Sequence, residues 1–160
     1  VVSGLREVRD AVVGMLAPEV VLDVLRYFAV FATDKKYRRT KIICRYQQYD
    51  TTNKIVARVV RGYPKKGLIW HFQGSGKSLL MVFAAHKLRL HPALHNPTVL
   101  IVVDRVDLDT QITGTFNAAD VPNTVATDNR AELQRLLAQD VRKVIITTIH
   151  KFAEAGGMAY

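Results

Sequence analysis

The run His71-Phe72-Gln73-Gly74-Ser75-Gly76-Lys77-Ser78 brings together the residue types needed to hold a polyphosphate. Gly74 and Gly76 allow a backbone to take positive φ and to approach phosphate oxygens closely. A helix that starts immediately afterwards aims free N–H groups and partial positive charge at the same anion. Lys77 would then reach the β- and γ-phosphates of a nucleoside triphosphate, and the Ser78 hydroxyl would bind Mg2+. The spacing is that of a P-loop except at its first position, where the general pattern has glycine and this chain has His71. The competing reading is an ordinary glycine-serine turn between two elements.

Which reading holds depends on the flanking elements. Gly67-Leu68-Ile69-Trp70 is a short apolar run that reads as a strand, and an amphipathic helix is expected on Leu79, Leu80, Val82, Phe83 and Leu88. Strand, glycine loop and helix in that order is the context a phosphate loop needs. Upstream, residues 1–16 mix apolar and charged positions. A helix is expected from Pro18 to Phe31, with Val21, Leu22, Val24, Leu25, Phe28 and Phe31 at helical spacing. Pro18 suits its first turn, and Glu19 complements the N-terminal dipole. Thr33 to Lys41 reads as a basic, solvated connector. A second helix is expected over about 45–60, packing Tyr46, Tyr49, Ile55, Val56 and Val59, until Gly62, Tyr63 and Pro64 break it.

Downstream, Thr98 to Val103 is almost continuously apolar, the mark of a strand buried on both faces of a parallel sheet. Asp104 to Phe116 reads as loop then helix, and Val121 to Thr127 as a short strand. Asp128 is expected to cap a helix through Gln139 on Leu133, Leu136 and Leu137, with Glu132 near its start. Lys143 to Thr148 closes the series as a further buried strand. This alternation predicts an α/β fold with a parallel sheet flanked by helices, preceded by a helical segment, with ligands at the strands' carboxyl ends.

Composition narrows the class. The 160 residues suffice for one core. Lys and Arg number 23 against 14 Asp and Glu, a net charge of +9 that favours a polyanionic partner such as nucleic acid. No stretch approaches the roughly 18 uninterrupted apolar residues of a membrane span. Cys44 is the single cysteine, which excludes an internal disulfide and a cysteine-rich zinc site. With no basic-then-apolar signal pattern at the start, a reducing cytoplasm is the expected setting.

Four ordered motifs extend this reading. They are Lys41-Ile42-Ile43-Cys44-Arg45-Tyr46-Gln47-Gln48, the loop with its preceding Trp70, Val102-Val103-Asp104-Arg105-Val106-Asp107-Leu108-Asp109-Thr110-Gln111, and Ile145-Ile146-Thr147-Thr148-Ile149-His150-Lys151-Phe152. In this order, and spanning about residues 15 to 155, the chain resembles the motor (R) subunit of type I restriction enzymes, a superfamily 2 helicase-like translocase. His71 at the head of the loop is a feature of that subunit.

The resemblance implies a partial RecA-like P-loop domain over residues 41–160, led by a helical segment over 1–40. ATP and Mg2+ would be its cofactors, held by Gly74, Ser75, Gly76, Lys77 and Ser78, with Lys77 catalytic and Ser78 on the metal. An amide offers one donor and one acceptor to adenine's N6 and N7. The resemblance gives that role to Gln48, with Gln47 as the neighbouring option; Arg45 either stacks on the base or faces water. Arg105, Gln111 and Thr148 become contacts to the DNA backbone, while Asp104 keeps a rival reading as a magnesium ligand at a strand end. The implied whole is an ATP-dependent double-stranded DNA translocase within a type I site-specific deoxyribonuclease. Its partners would be DNA and the methyltransferase and specificity subunits, without a membrane. The acidic box that activates water, the second lobe and the nuclease residues are not among these residues, so the segment alone is expected to be inactive. The alternatives are another P-loop enzyme, of kinase or GTPase class, or a non-catalytic nucleotide-binding module.

Overall fold

In the computed structural model of the chain, residues 2–33, 38–104, 106–119, 121–127 and 129–155 are described. The contacts gather into two compact units, Val1–Ala84 and Ala85–Tyr160. The first holds helices α1 (Val2–Leu16), α2 (Pro18–Tyr27) and α3 (Tyr46–Arg61), with a ribbon of strands β1 (Ala29–Thr33) and β2 (Arg39–Ile43). Helix α4 (Lys77–Leu90) runs across the division. The second unit has strand β3 (Val99–Val103), helix α5 (Val106–Ala118), strand β4 (Thr124–Ala126), helix α6 (Arg130–Ala138), strand β5 (Val144–Thr148) and helix α7 (Ile149–Ala155). The α/β class and the parallel sheet expected from the sequence are both present.

In the first unit the helix expected to reach Phe31 stops at Tyr27, and the chain turns into β1. Phe28 at that joint is fully buried, with its ring 4.9 Å from Tyr49 and 5.6 Å from Phe83. This aromatic cluster fixes α2, α3 and the start of α4 to one another. Cys44 donates its backbone N–H to Phe28 O, and burial pushes its thiol up to about 11, so the cysteine is a packing residue without nucleophilic character at neutral pH. Of the residues expected to pack on α3, Tyr49, Ile55 and Val56 do so, whereas Tyr46 and Val59 are exposed. Helix α3 ends in a left-handed Gly62, whose N–H bonds Arg58 O and Val59 O.

The second unit contains a three-stranded parallel sheet in the order β3-β5-β4. Central β5 is buried at every position. Strand β3, expected to be buried on both faces, is an edge strand with only Val103 buried, and Val102 is 39% exposed. Leu133, Leu136 and Ile145 make the core, with Leu100, Val125, Val141 and Phe152 packed around them. Leu137 is exposed instead. Asn129, not Asp128, caps α6: its side chain accepts from Ala131 N and Glu132 N, while Asp128 lies outside the described residues. Glu132 instead accepts a 2.8 Å hydrogen bond from the Thr127 hydroxyl.

Arg89, near the end of α4, is a buried cation held by neutral oxygens. Its guanidinium donates to Asn96 Oδ1 at 2.9 Å, Pro122 O at 2.6 Å and Arg142 O at 3.0 Å, gathering three loops of the second unit. Desolvation pushes its pKa below the ordinary arginine value. Only a planar fork reaches three acceptors in this way. Arg89→Ala is therefore expected to destabilise the chain by about 2–3 kcal/mol, the cost of stranding half-buried acceptors of a charged donor. Arg89→Lys should recover less than half of that loss. Urea unfolding of both variants checks this, and a wild-type midpoint for Arg89→Ala would show the fork to be dispensable.

Candidate nucleotide-binding site

The segment before the loop departs from expectation. Residues 67–70 form no strand: no described backbone group pairs with them, and Leu68 and Trp70 are 86% and 88% exposed. An apolar run becomes a strand only when another backbone accepts and donates its hydrogen bonds, and local sequence cannot provide that partner. The helix after the loop also differs from the amphipathic expectation. From Leu80 through Ala85 every α4 residue except Met81 is buried.

The loop itself takes the geometry expected of it. Gly74 and Gly76 have φ of 82° and 83°, the left-handed region open to glycine at low cost. Ser75 N–H closes the turn on Phe72 O at 3.3 Å, and α4 starts at Lys77. The first-turn N–H groups of α4 have no acceptor within their own helix, which leaves them to an anion. Lys77 is exposed, and its ammonium donates to Phe72 O at 3.0 Å and His71 O at 3.3 Å. Phosphate oxygens are stronger acceptors for that charge than two neutral carbonyls. The Ser75 side chain is 4% exposed, and its buried Oγ has no hydrogen-bond partner. A hydroxyl without a partner, two left-handed glycines and the helix N-terminus behind them fit a polyphosphate. Ser78, half-buried in the first turn of α4, offers a hydroxyl for a bound Mg2+.

Helix α3 is tied to this loop at two points, which sequence reasoning missed. Gln48 is buried; its Oε1 accepts from Arg45 N at 2.8 Å, capping α3, and its Nε2 donates to Gly76 O at 3.0 Å and, at 3.5 Å, to Ser75 O. A Cβ at Gly76 would collide with Gln48 Nε2, a second reason for glycine there. One turn on, Thr51 Oγ1 and His71 Nε2 lie 3.1 Å apart. The position where the general pattern has glycine is thus a side-chain tether. The signal was available in the spacing of 48, 51, 52 and 55, which shares one helical face. Gln47 and the N-cap residue Arg45 are exposed.

The remaining candidates lie in the second unit. Thr147 and Thr148 end β5 and are buried, and Thr147 Oγ1 has no partner. Asp104 is exposed after β3. Arg105 falls outside the described residues, and Gln111 is placed on α5 by its backbone alone. Among the described residues no cluster of three or more His, Cys, Asp and Glu is placed to hold a metal ion, and no helix is long and apolar enough to cross a membrane.

Comparison with known proteins places the chain in a family. Residues 47–159 match the family model described as SWI2/SNF2 ATPase. Over 158 residues, 92% of the chain, the sequence is 40% identical to the endonuclease subunit of the type I restriction enzyme HindI of Haemophilus influenzae. It is 41% identical over 118 residues, 69% of the chain, to a Methanocaldococcus jannaschii protein named for the endonuclease subunit MjaVIIP. The chain spans 15% and 11% of the lengths of these relatives. With more than half of its residues matched, the chain belongs to the SWI2/SNF2 ATPase family.

Proposed function

We propose that this chain is the ATP-binding part of an ATP-dependent double-stranded DNA translocase, the motor of a type I restriction endonuclease that cuts foreign DNA. The observation that carries the reading is the turn at 74–78, with two left-handed glycines, an orphaned serine hydroxyl and a mobilisable lysine, in a chain so similar to such subunits. In this reading residues 41–160 are the N-terminal part of the first RecA-like lobe and residues 1–40 lead into it. Gly74, Ser75, Gly76 and Lys77 cradle the phosphates, with Lys77 the catalytic cation, and Ser78 holds Mg2+. Arg105, Gln111 and Thr148 touch the DNA backbone, and the methyltransferase and specificity subunits complete a cytoplasmic complex. Magnesium supplies charge neutralisation at the β- and γ-phosphates when bound. DNA-stimulated ATP hydrolysis by the full subunit tests the reading; turnover indifferent to duplex DNA, or a preference for GTP, would refute it.

The adenine role belongs to Gln48. Its oxygen keeps one lone pair beyond the Arg45 bond, and its second N–H makes only the 3.5 Å contact to Ser75 O. Gln48→Ala is expected to lower the preference for ATP over GTP by about 1–3 kcal/mol, the scale for a buried partner left unpaired. Competition binding of ATP and GTP measures it. An unchanged ratio would leave Gln48 as a tether of the loop alone, and repeating the measurement on Gln47→Ala would decide between the neighbours.

A further inference from the structure

Both ends of the stretch read from sequence as a solvated connector lie in a two-stranded antiparallel ribbon, while residues 34–37 lie outside the described residues. Strand β1 pairs with β2 in the register Ala29↔Ile43, Phe31↔Lys41 and Thr33↔Arg39. Side chains alternate along each strand, so Val30 and Ile42 share one face, and Phe31, Lys41, Arg39 and Ile43 share the other. Val30 is buried and Ile42 half-buried, which turns the first face inward. Phe31, Arg39, Lys41 and Ile43 are all exposed. The Arg39 guanidinium lies 5.0 Å from the centre of the Phe31 ring, and Lys41 stands directly across from Phe31.

Charge in this part of the sequence is concentrated and one-sided. Residues 29–45 include six Lys or Arg and one Asp, and so account for more than half of the chain's net +9. Among the described residues neither Arg39 nor Lys41 has a carboxylate partner. The aromatic ring holds the guanidinium in place and shields one side of it, so less side-chain freedom is lost when its fork meets an anion. Two cations on a narrow, fixed ribbon fit a repeating anion better than a single one. A covered ring is also a poor platform for stacking a base, which favours the backbone over unstacked bases.

We propose that the outer face of the β1–β2 ribbon is a DNA contact surface, with Arg39 and Lys41 binding phosphates of the duplex backbone. The proposal deepens the DNA reading above and rests on it, while adding Arg39 and Lys41 of the first unit to the residues proposed there. The test is fluorescence anisotropy of the 160-residue chain with a labelled duplex across a salt series. The ribbon variant is Arg39→Glu with Lys41→Glu. A charge-matched control carries Arg130→Glu with Arg135→Glu, two exposed positions on α6. The ribbon variant is expected to bind about tenfold or more weakly at low salt, with the slope of log affinity against log salt reduced by about 1.8 for two lost phosphates. The control should lose little of either. A neutral pair, Arg39→Gln with Lys41→Gln, serves if charge reversal disturbs folding, and circular dichroism establishes that each variant is folded. Equal weakening in ribbon and control variants, or none in the ribbon variant, overturns the ribbon site while leaving the DNA reading in place. No duplex binding by the unaltered chain overturns both for this segment. Competition by polyglutamate as effective as by duplex, at equal charge, would assign the ribbon to an acidic protein and overturn the proposal.

Discussion

Lys77→Ala in the full subunit is expected to lower ATP turnover by at least about 10²–10³-fold, the scale for removing one preorganised charge from a transition state, and to stop DNA translocation and cleavage with it. The fold should survive. Lys77 is exposed, and among the described residues its ammonium bonds the carbonyls of Phe72 and His71, so its loss removes no core packing and leaves two solvent-accessible acceptors. The effect should fall on nucleotide affinity and on the chemical step together, because in the proposed reading the lysine would contact phosphates that carry more charge as transfer proceeds. Phosphate release with Mg-ATP and duplex DNA is the measurement, with circular dichroism beside it. Undiminished turnover by a folded variant would remove the phosphate-loop assignment.

The second large effect concerns residues 1–160 assayed alone, which should release no measurable phosphate from Mg-ATP, with or without DNA. The proposed cradle is the turn at 74–78, but the resemblance implies that the water-activating acidic box and the second lobe, which would supply an opposing arginine, are not among these residues. Phosphoryl transfer depends almost wholly on positioning and electrostatic stabilisation, and an arginine finger by itself is commonly worth about 10³–10⁵ in rate. Nucleotide binding should persist weakly, through the glycine turn and the first turn of α4. Purified chain and its Lys77→Ala variant are compared for phosphate release. Lysine-dependent release would put a catalytic carboxylate within these residues. The exposed Asp104 after β3 would then be the first suspect, and the assignment of 104–111 to DNA contact would fail.

What could be read in the residues divides along a physical line. Helix α3 and the loop at 74–78 were legible because their signals are local. Apolar spacing sets a helix, and two glycines beside a lysine set a turn whose φ values came out at 82° and 83°. The buried strand β5 was legible for a similar reason, since Val144-Ile145-Ile146 suits a position covered on both faces. The expected strand at 67–70 failed on the opposite ground: its apolar residues meet the local requirement, but no described backbone pairs with it. Strand β3 was overestimated because sequence cannot distinguish an edge from the centre of a sheet.

The family, the phosphate loop and the residue types that would serve it follow from sequence alone, because short-range spacing and backbone permissiveness are written residue by residue. Tertiary structure decided which groups meet. It joined Gln48 to Gly76 across 28 positions and His71 to Thr51 across 20, and it closed three loops on Arg89. It also paired the strands at 29–33 and 39–43 and laid Arg39 on Phe31. Each of these contacts depends on where two distant backbones come to rest, and that is set by burial of Phe28, Phe83 and the β5 core over the whole chain, which no local pattern encodes.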